Sequence, residues 1–199
     1  MRTLDGIRLL HFADVTVEGE LWPVFGWAVD GDEGTILVDT GMVESTPELD
    51  EEWAPVVHPW PDVGDVVAIV NTHLHFDHCG GNRRYAGTPT YVQRMELEAA
   101  VAPDYLEEWV HFPGESYVEL DGDAQLFDGI AVLFTPGHSP GHQAVVVETD
   151  QGRVVLGGDV TYSMRELKAG GQPSIDRIHA LQPTRVYLAH HRDPWEPRA

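Results

Sequence analysis

The sequence predicts an α/β layered sandwich, with two β-sheets face to face and helices on their outer sides. Short apolar runs of strand length recur along the chain, separated by Gly, Asp and Pro. Stretches of helical composition are fewer and fall between those runs, an order that two sheets with outer helices accommodate. No period of the kind that builds solenoids or propellers is present. The 199 residues suit one domain, spanning residues 1–199, with a substantial core.

In chain order, the expected strands are Trp27–Val29, Thr35–Asp39, Val66–Val70, Ile130–Phe134, Ala144–Glu148, Val154–Leu156 and Arg185–Ala189. Thr90 to Ala102 is expected as a helix, because Gln93-Arg-Met-Glu-Leu-Glu-Ala-Ala100 is rich in helix formers and Pro103 stops it. A second helix is expected over Ser174 to Leu181, with Ser174 as N-cap and Ile175 and Ile178 one turn apart. Only Met164 to Gln172 precedes it, with Gly170-Gly171 expected as a mobile turn. The stretch Leu21-Trp-Pro-Val-Phe-Gly-Trp27 can form an apolar wall beside a site or plain core, and both readings stay open.

Composition narrows the function. Twelve basic residues against 33 acidic ones give a net charge of −21, and Lys168 is the only lysine. Such a surface repels polyanions, which excludes nucleic acid as a natural partner. Its plain reading is a solvated acidic surface that aids solubility. No apolar run approaches the ~20 residues needed to span a bilayer, so no membrane role is expected. The N-terminus meets charge too early for a secretory signal. The single cysteine, Cys79, can form no internal disulfide, and a cytoplasmic location is expected.

Four expected strands run straight into polar clusters. Val70 leads into Asn71-Thr-His73, Phe134 into Thr135-Pro-Gly-His138, Leu156 into Gly157-Gly-Asp159, and Ala189 into His190. Rigid strand ends can aim side chains from distant segments at one point. The densest cluster is His73-Leu-His75-Phe-Asp77-His78, with four ligand-type side chains in six residues. Imidazole nitrogen and carboxylate oxygen suit zinc, iron, cobalt and manganese. His73 and His75 lie on one side of an extended segment and can share one metal. Asp77 and His78 follow where the chain turns, which lets them face a second. Cys79 is read as a small buried side chain.

This run resembles the HxHxDH signature of the metallo-β-lactamase superfamily. Thr135-Pro-Gly-His138, Gly158-Asp159 and Ala189-His190 follow in the order that superfamily shows, and Asp39 resembles the acidic residue ending an early strand. The resemblance implies a four-layered αββα sandwich with two divalent metal ions per chain, most simply zinc. It further implies that His73, His75 and His138 hold one ion, Asp77, His78 and His190 the other, and Asp159 bridges them. Asp39 would orient a ligand by hydrogen bonding, and His142 would have a supporting role. His190 is preferred to His191, because the resemblance places a small residue, here Ala189, just before the ligand.

Two metals about 3.5–4 Å apart can activate water without a serine or cysteine nucleophile, and the chain has no Gly-x-Ser-x-Gly elbow. Metal-assisted hydrolysis is therefore the expected reaction class. Within the superfamily, the chain resembles the N-acyl homoserine lactonases: Val38-Asp-Thr-Gly-Met42, His73 through Asn82, Thr135 through Gln143, and Asp159-Val-Thr-Tyr162. That implies a lactone substrate, with Asp77 assisting proton transfer and Tyr162 donating a hydrogen bond to the carbonyl oxygen. Another ester, a thioester or a β-lactam is the alternative substrate, and a non-catalytic metal-binding domain the remote one. The chain is shorter than typical members, with a trimmed stretch between Asp159 and His190 that leaves acyl preference open. A homodimer is left open as well.

Overall fold

A computed structural model describes residues 2–197. The strands are β1 (Ile7–Val17), β2 (Glu20–Asp30), β3 (Thr35–Val38), β4 (Val56–Val57), β5 (Val66–Val70), β6 (Thr90–Gln93), β7 (Tyr117–Leu120), β8 (Ala124–Phe127), β9 (Ile130–Phe134), β10 (Gln143–Thr149), β11 (Gly152–Leu156) and β12 (Arg185–Tyr187). The helices are α1 (Pro47–Trp53), α2 (Phe76–Cys79), α3 (Arg94–Ala99), α4 (Glu107–Val110), α5 (Met164–Ala169) and α6 (Pro173–Ala180). One sheet has the order β4-β1-β2-β3-β5-β6-β7 and the other β12-β11-β10-β9-β8.

Burial explains the layers. Trp27, Val29, Ile36, Val38 and Val70 of the larger sheet pack against Ile130, Val132, Val145, Val147, Val154 and Leu156 of the smaller, which makes the central core. On the smaller sheet's other face, Val146, Val155 and Val186 meet Leu167 of α5 and Ile175 and Ile178 of α6. On the larger sheet's outer side, Ala13, Val15 and Val24 are covered by Leu49 of α1 and Trp109 of α4. The result is helix, sheet, sheet, helix, as expected. Strands buried on both faces read as continuous Val/Ile/Leu runs, which is why β3, β5, β10 and β11 were visible in the sequence.

Several elements differ from expectation. Thr90–Gln93 is a strand, not the start of a helix: Thr, Tyr and Val favour pleated backbone, and β6 pairs in parallel with both β5 and β7. Only Arg94–Ala99 is helical. The expected strand Trp27–Val29 is the end of an 11-residue strand joined to β1 by Glu18 and Gly19, both at positive φ, the backbone a tight hairpin requires. Gly170 and Gly171 do turn, both at positive φ, but they follow a helix that was not expected, α5. Its cap is Ser163, whose hydroxyl accepts from the Glu166 N–H, and Ser163-Met-Arg-Glu166 has the spacing of a capping box. Ser174 is not an N-cap, since Gln172 precedes α6 and the Ser174 hydroxyl donates to the Pro136 carbonyl at 2.7 Å. The last strand ends at Tyr187, two residues early.

The sheets are tied together where their strands end. The Phe25 N–H donates to the Ala189 carbonyl at 2.9 Å and the Gln143 N–H to Thr72 at 2.8 Å, while the Ala189 N–H donates to Gly158 at 3.0 Å beside them, beyond the ends of β12 and β11. Gly158 is part of this seam. Its φ is +52°, and a Cβ there would lie 2.6 Å from Thr72 Oγ1. Gly158→Ala is therefore expected to lose about 1–3 kcal/mol through overpacking and backbone strain. Thermal unfolding should show a Tm lowered by several degrees, and an unchanged Tm would contradict this packing.

Candidate metal centre

All seven side chains expected as ligands come together at the seam. His73 follows β5, His75 precedes α2, and Asp77 and His78 lie on it. His138 sits in the β9–β10 turn, Asp159 beyond β11 and His190 beyond β12. Among these seven, three groupings have ligand atoms within 4.8 Å of one another: His73, His75 and His138; His73, His78 and Asp159; Asp77, His78 and His190.

In the first, the imidazole nitrogens form a triangle. His73 Nε2 lies 3.1 Å from His75 Nδ1, and His138 Nε2 lies 3.1 and 3.0 Å from those two atoms. Three imidazole nitrogens cannot all pair with one another by sharing protons, but three lone pairs around a cation can coexist. In the second half, Asp159 Oδ2 is 3.4 Å from His78 Nε2 and 3.3 Å from His190 Nε2, and Asp77 Oδ2 is 3.6 Å from both. His138 Nε2 is 3.7 Å from the same Asp159 oxygen, so that carboxylate stands between the halves. His78 Nε2, His75 Nε2 and Asp159 Oδ1 are buried with no hydrogen-bond partner. His78 Nε2 faces the carboxylates of Asp77 and Asp159, and an orphaned inward-facing donor of this kind fits a cation better than a purely hydrogen-bonded core.

Neighbours set the imidazole tautomers. Asp39, fully buried at the end of β3, accepts from the Thr72 N–H and Thr72 hydroxyl, both at 2.7 Å, and from His78 Nδ1–H at 2.9 Å. With its hydroxyl proton committed, Thr72 Oγ1 accepts from His73 Nδ1–H at 3.1 Å. His190 Nδ1–H donates to the Pro23 carbonyl at 2.8 Å. Each leaves Nε2 with a lone pair toward the cluster. His142 has the expected supporting place: its Nδ1–H donates to the Thr135 carbonyl, and its Nε2 accepts from the Asp159 N–H at 3.2 Å. Burial pushes that imidazole down to about 3, which keeps the acceptor neutral.

The two halves differ in charge. Burial and the adjacent His78 and His138 hold His73 well below its ordinary range. Burial would also depress His78, but the carboxylates of Asp159, Asp77 and Asp39 outweigh it and raise that imidazole. One half thus offers neutral nitrogens, while the other gathers negative charge that calls for a cation.

Beside the cluster opens a pocket of about 420 Å³, with Val15, Val17, Trp22, Trp53 and Phe76 on its walls. Trp22 faces this pocket, while Val24, Phe25 and Trp27 are buried, so the stretch is both wall and core. Tyr162 stands over the cluster with its oxygen 3.1 Å from His138 Nδ1 and its ring edge-on to Trp22. Since His138 turns Nε2 to the triangle, its Nδ1–H donates to the Tyr162 oxygen, and the phenol keeps its own proton to donate. Burial, Asp159 and Asp77 raise the phenol's pKa, so that proton is retained.

Besides Thr72, two more supporting residues escaped the sequence reading. Glu96 is fully buried in α3. Its Oε1 accepts from the Leu74 N–H at 3.0 Å and the Tyr105 hydroxyl at 2.9 Å, and its Oε2 from the Ser139 hydroxyl at 2.7 Å and the Gly141 N–H at 2.9 Å. It binds the His73–His75 loop to the His138 turn. His191 Nε2–H donates to the Tyr162 carbonyl at 2.9 Å, holding the tyrosine instead of facing the cluster.

Comparison with known proteins follows this geometry. The family model for the metallo-beta-lactamase superfamily matches residues 19–197. An N-acyl homoserine lactonase of Bacillus thuringiensis is 39% identical over 164 residues, covering 71% of this chain and 65% of the relative. The AttM lactonase of Rhizobium radiobacter is 30% identical over 148 residues, covering 65% and 56%. This chain thus spans about two thirds or less of these relatives' length. Among solved structures, the Bacillus thuringiensis AiiA protein with N-decanoyl-L-homoserine at its active site has a TM-score of 0.78 at 28% identity over 92% of both chains. An N-acyl homoserine lactone hydrolase with N-hexanoyl-L-homoserine at its catalytic metal centre has a TM-score of 0.76 at 29% identity, again over 92% of both.

Glu96→Gln replaces an acceptor oxygen by an amide N–H that must face donors. Leaving buried donors unpaired costs about 1–3 kcal/mol, so a clear fall in Tm is expected. Wild-type stability in the variant would show that the Glu96 bonds do not hold the two loops together.

Proposed function

This chain belongs to the metallo-β-lactamase superfamily, and from that premise we propose that it is a two-metal hydrolase that opens the ring of N-acyl homoserine lactones, a quorum-quenching activity. The observation that carries the reading is Tyr162, whose phenol stands over the cluster and lines an apolar pocket. His73, His75 and His138 would hold one ion, Asp77, His78 and His190 the other, and Asp159 would serve both. Zinc is the proposed ion, and iron, cobalt or manganese also suit these donors.

A metal pair bound in this cradle supplies a water-derived nucleophile at neutral pH and polarises the ester carbonyl. The chain's own groups do the rest. The Tyr162 hydroxyl donates to the substrate carbonyl oxygen and stabilises the charge that gathers there. Asp77 carries a proton from the attacking water to the ring oxygen as its bond to the acyl carbon breaks. Water is thereby added across one C–O bond, and the product is a hydroxy acid. Trp22, Trp53, Val17 and Phe76 offer an acyl chain an apolar wall, while Glu18 and Asp104 at the pocket edge repel anionic substrates and the new carboxylate. The free, buried thiol of Cys79 suits action in a reducing cytoplasm.

Tyr162→Phe is expected to lower lactone turnover by about 10- to 100-fold, equivalent to roughly 1.4–3 kcal/mol of transition-state stabilisation. Elemental analysis should find the metal content unchanged. Full activity in the variant would remove the main reason for preferring a lactone.

A further inference from the structure

A second group of ligand-type side chains stands on β1 and just after β4, outside the cluster described above. His11 Nε2 lies 2.9 Å from Asp14 Oδ1, and His58 Nε2 lies 2.8 Å from Asp14 Oδ2. The three ligand atoms are all within 4.8 Å of one another, and the two imidazole centroids are 4.3 Å apart. We propose that His11, Asp14 and His58 form a third metal site, which takes one divalent first-row transition ion such as Zn²⁺.

The backbone brings these residues together. In a regular strand, residues three apart point to opposite faces. The β1–β2 register slips between His11 and Ala13, where an extra residue forms a bulge. A bulge resets the alternation and re-aims the side chains around it, and His11 and Asp14 meet. β4 then supplies the third group: Val56 and Val57 pair with Asp14 and Ala13, and the His58 N–H donates to the Phe12 carbonyl at 2.8 Å.

Chemistry favours a cation here. Two imidazoles and one carboxylate, with other positions free for water, make a donor set that first-row divalent ions accept. The side chains are 30, 29 and 24% exposed for His11, His58 and Asp14, which leaves an ion a path in and room for water ligands. Among the described residues no arginine or lysine pairs with Asp14, and its charged-group partners are the two histidines. The chain as a whole carries a net charge of −21, which favours cations at such a carboxylate. The site would clip the edge strand β4 to β1. It also lies close to the catalytic wall, since Asp14 pairs with Pro23, whose carbonyl receives the His190 Nδ1–H.

The test is a zinc titration of protein whose two-metal cradle is already loaded and freed of excess ion, followed by calorimetry and elemental analysis. Wild type is expected to take up one further ion, for three per chain. A His11→Gln/His58→Gln variant, whose amides can still donate to Asp14, is expected to stop at two. Wild type that saturates at two ions overturns the proposal whatever the variant does. So does a folded variant that still binds three, because the additional ion then lies elsewhere.

Discussion

Asp39 has no exposed surface, and a carboxylate buried there without partners would cost several kcal/mol. Three donors meet it instead, from Thr72 and His78. The requirement that this charge be satisfied fixes the turn after β5, and with it the protonated nitrogen of His78 and, through the Thr72 hydroxyl, that of His73. Glu96 imposes the same condition on the opposite side with four donors from Leu74, Tyr105, Ser139 and Gly141. The ligand-bearing loops are thus held by two buried carboxylates that do not themselves face the cluster. A site placed by satisfied buried bonds is stiff before any ion or substrate arrives, the preorganisation that metal-assisted hydrolysis needs.

Charge is arranged on two scales. Within the site, neutral imidazoles on one side and carboxylates on the other divide the cluster into unlike halves that share Asp159. Across the surface, a net charge of −21 disfavours anionic partners and suits release of a carboxylate product. The walls of the pocket are apolar, so both scales favour a neutral ligand with a hydrophobic part.

Much of this could be read from the chain alone because the clustered residues carry strong local signals. His73 through His78 concentrate ligand types, and β5, β9 and β11 are apolar runs that stop at a site residue. Where the reading failed, long-range pairing decided the outcome. Thr90–Gln93 resembles the start of a helix until β5 and β7 flank it, and the bulge in β1 exists only in the register with β2. Glu96 looked like one more acidic residue on a helix, since its four donors lie 9 to 45 positions from it along the chain. His191 was set aside as a ligand without a role, and its bond to the Tyr162 carbonyl depends on a turn that the sequence does not announce. The Ser163 cap of α5 and the Thr46-Pro47 cap of α1 were local signals present and unused.

The central claim is that this cradle, loaded with metal, opens lactones. It is tested most directly by following proton release with a pH indicator while the metal-loaded protein acts on N-acyl homoserine lactones, beside a thioester and a β-lactam. The account predicts turnover of the lactones well above that of the other two, abolished when a chelator strips the metals and restored when they return. Fully metallated protein that leaves lactones intact while cleaving the thioester or the β-lactam would contradict it.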